Sequence, residues 1–292
     1  MSKKTKDKTI LCGVTGASGY VGSCIAKYLR QNKCIVYEMS RNFPKLHRKN
    51  KLFIQFSLGK NIEPSFFHGI DVLVHCAYDF SLTKWKDINE INVEGSLRLF
   101  RAAKKAGVKK IIFISTMAAF DGCKSLYGKA KLKIEKEAGK IGAVIVRPGL
   151  IYDDNAKGMV GALNKLVLLS NIIPIVNKND KLLYLCHSND LSKLIFKLCT
   201  EKTNISKPII AASENGLTLR NILKKLAAAK KKSILFIPVP YWLVLSGLKT
   251  FEKIGIKMRF KADNLVSLAN QNEHPDFSET RKIKAVFHNF GD

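Results

Sequence analysis

The chain has 292 residues, of which 46 % are hydrophobic and 25 % are charged, and these proportions exclude a disordered, collagen-like or low-complexity protein. Its 50 Lys and Arg residues outnumber its 23 Asp and Glu residues, so the formal net charge is +27, and the excess is spread over both halves of the chain. Such a charge attracts anions, but the scarcity of Arg relative to Lys argues against specific readout of nucleic-acid bases.

The seven cysteines indicate free thiols rather than a disulfide framework or a metal centre. Their number is odd, and no two of them form a C-x-x-C pair. No apolar run reaches the roughly 18 residues of a membrane span, and no apolar segment follows the basic N-terminus. We therefore expect a cytoplasmic protein without a secretory signal and without a bound metal.

The first half of the chain alternates short apolar runs with helical patterns. Predicted strands cover residues 9–15, 34–40, 71–77, 110–115 and 143–147, and predicted helices cover residues 19–31, 89–106 and 126–139. Near-continuous apolar strands that alternate with helices are typical of a parallel sheet covered on both faces. The pattern predicts an α/β fold with a doubly wound parallel sheet, the Rossmann architecture.

A glycine triplet lies at the predicted turn between the first strand and the first helix. Gly16, Gly19 and Gly22 form G-x-x-G-x-x-G, which permits a tight turn, close approach of the backbone to a pyrophosphate, and close packing of helix on strand. The helix N-terminus favours the phosphate charge. The predicted cofactor-binding residues of this turn are Gly16, Ser18, Gly19, Tyr20, Val21 and Gly22.

The end of the second predicted strand indicates which dinucleotide binds. An acidic residue there would hold the ribose 2′-hydroxyl of NAD(H), but the sequence has Ser40 and Arg41. An arginine fork suits a 2′-phosphate, with the Ser40 hydroxyl as a second donor, so NADP(H) is favoured over NAD(H). Further positive charge follows in the sequence at His47, Arg48, Lys49 and Lys51.

A pair of residues on the helix predicted at 126–139 carries acid–base chemistry. Tyr127 and Lys131 are four positions apart and therefore share one helix face. The lysine ammonium favours phenolate and lowers the pKa of the tyrosine, so the phenol can exchange a proton near neutral pH. Ser115 and Thr116 follow a predicted strand, at the sheet edge where ligands bind, and supply a hydroxyl for the reacting oxygen.

Taken in order, these motifs resemble the extended short-chain dehydrogenase/reductase superfamily, in its branch of NAD(P)-dependent epimerases and dehydratases. The matching segments are residues 15–22 (TGASGYVG), 71–77 (DVLVHCA), 92–96 (NVEGS), 114–116 (IST), 127–131 (YGKAK), 147–152 (RPGLIY) and 187–191 (HSNDL). The resemblance implies that Tyr127 is the acid/base and that Lys131 binds the nicotinamide ribose and tunes Tyr127. It aligns the family's Ser/Thr with Thr116, or else with Ser115. It also implies that Ala77 lines the cofactor cleft and that Pro148 lies beside the nicotinamide.

After Pro148 the spacing of the predicted elements changes. Predicted helices cover residues 162–170, 190–200, 217–231 and 240–254, a short strand covers 181–186, and 171–180 is predicted as a loop. We interpret residues 9–152 as an NAD(P)-binding domain to which 181–212 returns. Residues 153–180 and 213–292 then form a smaller, partly interleaved substrate-binding domain.

The chain departs from the family in three places. The second domain is short and its sugar-nucleotide signatures are hard to find, which weakens the choice of substrate. Thr116 and Tyr127 are only 11 positions apart, whereas many nucleotide-sugar epimerases have a longer insertion there. Residues 55–58 (QFSL) contain no acid, although the family often has one there that contacts adenine.

Three functions remain open. The first is an NAD(P)-dependent oxidoreductase or epimerase acting on a hydroxyl or ketone of an anionic, nucleotide-sugar-like substrate. The second is an NADPH-dependent reductase of a lipid or sterol-like ketone at a membrane surface. The third is a non-catalytic dinucleotide sensor or basic-surface binding protein. We expect a small-molecule substrate and no specific nucleic acid, and the resemblance implies a homodimer.

An apolar stretch that opens with residues 238–242 (PVPYW) and ends at Lys249 bears on the second function. It forms a substrate lid, packs into the core, or lies on a membrane, and membrane contact is the less favoured interpretation. The membrane interpretation rests on Trp242 and on nearby positive charges at Lys249, Lys253, Lys257, Arg259 and Lys261.

Overall fold

The computed structural model describes residues 9–42, 52–153, 158–176, 181–256 and 260–291. Within these residues the chain divides into two compact units. The first unit is formed by Met1–Ile114, Ile134–Ile145 and Ser192–Ile205, and the second unit by Ser115–Lys133, Val146–Leu191 and Ser206–Asp292. The predicted boundaries of a cofactor and a substrate domain stay a prediction. The positive charges predicted at His47, Arg48, Lys49, Lys51, Lys257 and Arg259 lie outside the described residues.

The described strands and helices alternate through most of the chain. The strands are β1 (Leu11–Thr15), β2 (Ile35–Ser40), β3 (Phe53–Gln55), β4 (Val72–His75), β5 (Lys110–Ile114), β6 (Val144–Pro148), β7 (Leu150–Tyr152), β8 (Ile172–Val176), β9 (Leu185–His187), β10 (Ile209–Ala211) and β11 (Leu235–Val239). The helices are α1 (Tyr20–Gln31), α2 (Trp85–Asp87), α3 (Gly95–Lys105), α4 (Leu126–Lys140), α5 (Gly158–Leu169), α6 (Ser188–Thr200), α7 (Leu219–Ala228), α8 (Tyr241–Lys253), α9 (Ala262–Ala269) and α10 (Ser278–Lys282).

Seven parallel strands form the main sheet, in the order β10-β6-β5-β4-β1-β2-β3. The α/β, doubly wound fold class predicted from the sequence is therefore confirmed. The central strands are buried along nearly their whole length, since all four residues of β4 and four of the five in β1 are buried. Helices cover such strands on both faces, which is why the strands read as unbroken apolar runs.

Two small parallel pairs lie outside the main sheet, β11 with β8 and β7 with β9. The prediction that 171–180 is a loop was wrong at Ile172–Val176, which is β8. Ile173 and Ile175 are buried while their neighbours in the strand are more exposed, so β8 has the period of two of a half-buried strand. The apolar residues on its outer face conceal that period in the sequence.

The helix predicted at 89–106 has two parts. A π-helix, Ile88–Glu94, precedes α3, and Asn92 lies buried inside it. The Asn92 amide clamps the backbone of Asp79, because its Oδ1 accepts from the Asp79 N–H at 2.7 Å and its Nδ2 donates to the Asp79 carbonyl at 3.1 Å. A wide helical turn of this kind is common where a side chain has a specific task.

A buried hydrogen-bond chain joins the ends of β1 and β4. The Ser96 hydroxyl donates to the Asn92 carbonyl at 2.6 Å and therefore accepts from His75 Nε2 at 2.9 Å. His75 Nδ1 then accepts from Thr15 Oγ1 at 2.7 Å. The same Thr15 oxygen accepts the N–H groups of Cys76 and Ala77, each at 3.2 Å. The chain requires a neutral histidine and fixes the segment after β4 beside the end of β1.

None of the described helices is both long and apolar enough to span a bilayer.

All seven cysteines are free thiols, and five of them are buried. Burial raises the pKa of the Cys34 thiol to about 12.

We predict that Thr15→Val destabilises the protein by about 1–3 kcal/mol, because it removes the hydroxyl that donates to His75 Nδ1 and accepts the Ala77 N–H, and leaves the Cys76 N–H with its longer bond to the Thr15 carbonyl at 3.3 Å. The free energy of unfolding from urea titration measures this loss. Thr250→Val is the matched control, since the exposed Thr250 hydroxyl donates only to the Ser246 carbonyl of its own helix. Equal stability of the two variants would contradict the role of the buried chain.

Candidate active site

The predicted glycine turn lies in the first unit, between β1 and α1. Gly16 has φ +67°, in the left-handed region, and a Cβ on it would lie 2.9 Å from the Ala77 backbone. A Cβ on Gly22 would lie 2.3 Å from the Gly16 carbonyl oxygen. Larger side chains at either position would therefore push the turn away from the strand ends. The two glycines therefore allow the backbone of the turn to approach neighbouring backbone closely.

The N-terminus of α1 fits an anionic ligand. Gly19 is the residue before the helix, and within the described part of the chain no side chain caps it. The first turn of α1 also has no acidic residue. The first N–H groups of a helix lack partners inside the helix, so they and the helix dipole favour a phosphate. Ser18, Tyr20 and Val21 lie in the same turn, so the turn has the chemistry that a dinucleotide phosphate needs.

Ser40 and Arg41 lie at the end of β2, as predicted, but both make contacts within the protein. The Ser40 hydroxyl donates to the Asn42 carbonyl at 3.1 Å. Arg41 Nη1 pairs with Asp79 Oδ2 at 3.2 Å, while 68 % of the arginine side chain stays exposed. An exposed pair of this kind contributes little stability, so a phosphate can compete with Asp79 for Arg41.

The predicted catalytic residues lie together in the second unit. Thr116 and Tyr127 both line one cleft, and Pro148 lines it as well. Lys131 is 3 % exposed, with its Nζ 6.0 Å from the centre of the Tyr127 ring. Ser115 does not line this cleft, and its buried hydroxyl has no hydrogen-bond partner among the described residues. Of the two candidates, Thr116 therefore has the hydroxyl facing the cleft.

The Tyr127 phenol differs from the expectation of a lowered pKa. Burial raises the pKa of Tyr127 above its usual value, and a hydrogen bond with Thr116 acts in the opposite direction. Burial is the larger effect because a phenolate loses more hydration than a phenol when it leaves water. The phenol is therefore protonated at neutral pH, which is the form that donates a proton.

The start of α4 fits closely against the segment that follows β5. A Cβ on Gly128 would lie 2.3 Å from the Ala118 carbonyl oxygen, so only glycine allows this approach. The Ser125 hydroxyl accepts the Gly128 N–H at 3.1 Å and caps the helix. Tyr127 therefore has a fixed position next to the strand end that bears Thr116.

Asp263 is a functional residue that the sequence analysis missed. Its Oδ1 accepts the Leu126 N–H at 2.7 Å, and its Oδ2 accepts the Tyr127 N–H at 3.0 Å. The carboxylate of α9 thus satisfies the first N–H groups of the helix that bears Tyr127 and complements its dipole. Asp263 also lines the cleft. Asp263 lies 136 residues after Tyr127, so no local sequence pattern indicates that it caps α4.

The cleft opens to solvent. Apolar side chains form much of its wall, among them Met117, Leu183 and Leu268. Among the described lining residues, Asp263 is the only one with a formal charge, and none is a lysine or arginine. The cleft therefore presents a largely apolar surface with a few polar groups and one carboxylate to whatever binds beside Tyr127.

We predict that Asp263→Ala destabilises the protein by about 1–2 kcal/mol, because two N–H groups at the start of α4 lose their acceptor. Denaturant titration measures the loss, and Asp263→Asn should recover part of it through its remaining amide oxygen. Ser267→Ala, which removes another polar side chain of α9 from the same cleft, is the control. A stability of Asp263→Ala equal to that of the control would contradict the capping role.

Comparisons with known proteins agree with this arrangement. A family model described as "NAD dependent epimerase/dehydratase family" matches residues 12–210, more than half of the chain. UDP-glucose 4-epimerase of Vibrio cholerae is 24 % identical over 91 % of this chain and 89 % of its own length. Ceramide reductase of Caulobacter vibrioides is 23 % identical over 80 % of this chain and 76 % of its own length.

A solved structure shares the fold. MoeE5 in complex with UDP-glucuronic acid and NAD superposes with a TM-score of 0.68 at 17 % identity, covering 79 % of this chain and 85 % of its own. At this identity the likeness concerns the fold alone. The family match, which includes the glycine turn, Thr116, Tyr127 and Lys131, confirms the predicted resemblance. The chain is an enzyme that belongs to the NAD dependent epimerase/dehydratase family, within the extended short-chain dehydrogenases/reductases.

Proposed function

We propose that this enzyme oxidises, reduces or epimerises a hydroxyl or ketone carbon of a nucleotide-sugar-like substrate, with Tyr127 as the proton donor and acceptor. The observation that carries the proposal is that Thr116 and Tyr127 line the same cleft, with Lys131 buried beside the tyrosine ring. A phenol and a second hydroxyl that face one cleft can hold one substrate oxygen between them. The similarity to a UDP-glucose 4-epimerase supports the substrate class.

The three side chains have separate roles. Thr116 donates a hydrogen bond to the reacting oxygen and orients it. Tyr127 gives its proton to a carbonyl oxygen, or takes the proton of a hydroxyl in the reverse direction. Lys131 places a positive charge near the phenol, and that charge opposes the effect of burial when the phenol must lose its proton. The raised pKa of Tyr127 suits the direction in which the tyrosine acts as an acid.

The glycine turn and the N-terminus of α1 hold the dinucleotide. A nicotinamide coenzyme, when bound, supplies the hydride donor and acceptor. Gly16 and Gly22 keep the backbone close enough for the N–H groups of α1 to contact the phosphates. Arg41 reads the 2′-phosphate of NADP(H) by exchanging its contact with Asp79 for one with the phosphate. We therefore propose that the enzyme prefers NADP(H) over NAD(H).

The largely apolar wall of the cleft favours a second candidate substrate. A lipid or sterol-like ketone fits a wall of apolar side chains without lysine or arginine among the described lining residues. The similarity to a ceramide reductase supports this alternative. The two substrates need the same roles of Thr116, Tyr127 and Lys131, so the cleft wall, and not the acid/base group, distinguishes them. A homodimer also stays a prediction.

We predict that Tyr127→Phe lowers turnover by at least about 100-fold, because general acid–base catalysis contributes factors of that order. The assay follows UDP-glucose epimerisation and NADPH oxidation with a long-chain ketone, and dinucleotide affinity is measured in parallel. Dinucleotide affinity should stay within about twofold, since the glycine turn is intact. Tyr37→Phe is the control for loss of a tyrosine hydroxyl elsewhere in the chain.

Full turnover of Tyr127→Phe would remove the proposed acid/base. If neither substrate is converted by the parent protein and dinucleotide still binds, both proposed substrate classes are contradicted. If no dinucleotide binds, the fit of the glycine turn to a phosphate is contradicted.

We predict that Arg41→Ala weakens NADPH binding about tenfold and NADH binding by less than about twofold, because only NADPH has the phosphate that the guanidinium contacts. Titration of each coenzyme by fluorescence measures the two affinities. Arg30→Ala is the matched control, as it removes an ion-paired arginine from the far end of α1. Equal losses for both coenzymes would show that Arg41 does not read the 2′-phosphate.

A further inference from the structure

The small sheet of β8 and β11 exposes a row of apolar side chains. Ile172 pairs in register with Leu235, and Pro174 pairs with Ile237. Ile172, Leu235 and Ile237 are between 44 % and 63 % exposed, and Leu169, just before β8, is 86 % exposed. The alternate residues of β8 are buried in the core of the second unit. The outer face of a strand pair is normally polar, so this apolar face is unusual.

Helix α8 follows β11 directly and extends the exposed apolar area. Trp242 is 67 % exposed and Leu243 is 50 % exposed. Within α8, Leu248 is the residue that is buried, and it packs with Leu265 of α9. The interpretation of this stretch as core packing is therefore wrong for Trp242 and Leu243, although it holds for the opposite face of α8.

The stretch of chain that contains most of these apolar residues is rich in positive charge. Between residues 219 and 253 the only acidic residue is Glu252, whose carboxylate accepts the Ala262 N–H at 2.7 Å. The basic residues of the same stretch are Arg220, Lys224, Lys225, Lys230, Lys231, Lys232, Lys249 and Lys253. An aromatic and aliphatic surface edged by lysines is the composition of segments that lie in a membrane interface.

We propose that this apolar surface, formed by Leu169, Ile172, Leu235, Ile237, Trp242 and Leu243, docks the enzyme onto an anionic lipid bilayer. The apolar side chains enter the headgroup region, and the surrounding lysines contact the anionic headgroups. A second copy of the chain is the weaker occupant, because it would bring two lysine-rich rims together without acidic residues to neutralise them. The charge complementarity thus selects the lipid surface.

Helix α9 lies between α8 and the cleft. Helix α9 packs on α8 with Ala262 and Leu265, and it contributes Asp263, Ser267 and Leu268 to the cleft wall. A bilayer on the outer side of α8 therefore lies one helix layer from the cleft. The proposal is independent of the proposed reaction, since a bilayer anchor is compatible with a water-soluble or a lipid substrate.

Trp242 provides a direct test. The chain has two tryptophans, so Trp85→Phe leaves Trp242 as the single indole emitter. Vesicles of phosphatidylcholine with about 30 % phosphatidylglycerol should shift its emission to shorter wavelength, and brominated lipids should quench it. Pure phosphatidylcholine vesicles should bind at least about tenfold more weakly, because the lysines lose their partners. Unchanged emission with anionic vesicles would overturn the proposal.

Variants separate lipid docking from self-association. Trp242→Asp with Leu243→Asp should reduce flotation with anionic vesicles at least about tenfold, while Val286→Asp, at a residue 77 % exposed in the C-terminal segment, should not. Lys230→Gln with Lys231→Gln tests the charge without touching the apolar side chains and should weaken flotation several-fold. Flotation that is the same for all variants would overturn the proposal. So would a short-wavelength Trp242 emission that appears without vesicles as protein concentration rises, because a second copy would then cover the surface.

Discussion

The Asp263 carboxylate accepts two backbone N–H groups at the start of α4. The geometry of the cleft depends on this contact. The first turn of a helix has four N–H groups without internal partners, and leaving them buried and unsatisfied is costly. Asp263 takes those of Leu126 and Tyr127, and Ser125 takes that of Gly128. Because Tyr127, the proposed acid/base, is itself one of the capped residues, the cap holds its backbone at the start of α4.

The same contact makes a C-terminal helix part of the cleft, although the family match ends at residue 210. Helix α9 supplies the cap and part of the cleft wall at once, so a change in the packing of α9 alters both the position of Tyr127 and the shape of the cleft. The core contacts of this short helix are with α8. Residues beyond the family match therefore contribute both to the position of Tyr127 and to the shape of the cleft.

Local patterns allowed much of the fold and part of the candidate site to be predicted. The glycine turn and the Tyr127–Lys131 pair depend on spacings of a few residues, which a sequence displays directly. Asp263 could not be found in this way, since nothing near it in sequence distinguishes a helix cap from a surface acid. β8 was read as a loop because apolar residues occupy both of its faces. The raised pKa of Tyr127 depends on burial by distant segments, whereas the expected lowering considered only Lys131.

The distribution of charge corrects a simple interpretation of the +27 excess. That excess suggested a site that captures anions, but in the described cleft the formal charge is a carboxylate already engaged by backbone N–H groups. The lysines are concentrated elsewhere, as on α7, the turn after it and α8. Their field acts over roughly a Debye length of about 8 Å at physiological ionic strength, which is enough to attract a charged surface but too unspecific to choose a substrate. Selection beside Tyr127 must therefore come from shape and hydrogen bonds, while the net charge determines which surfaces the enzyme approaches.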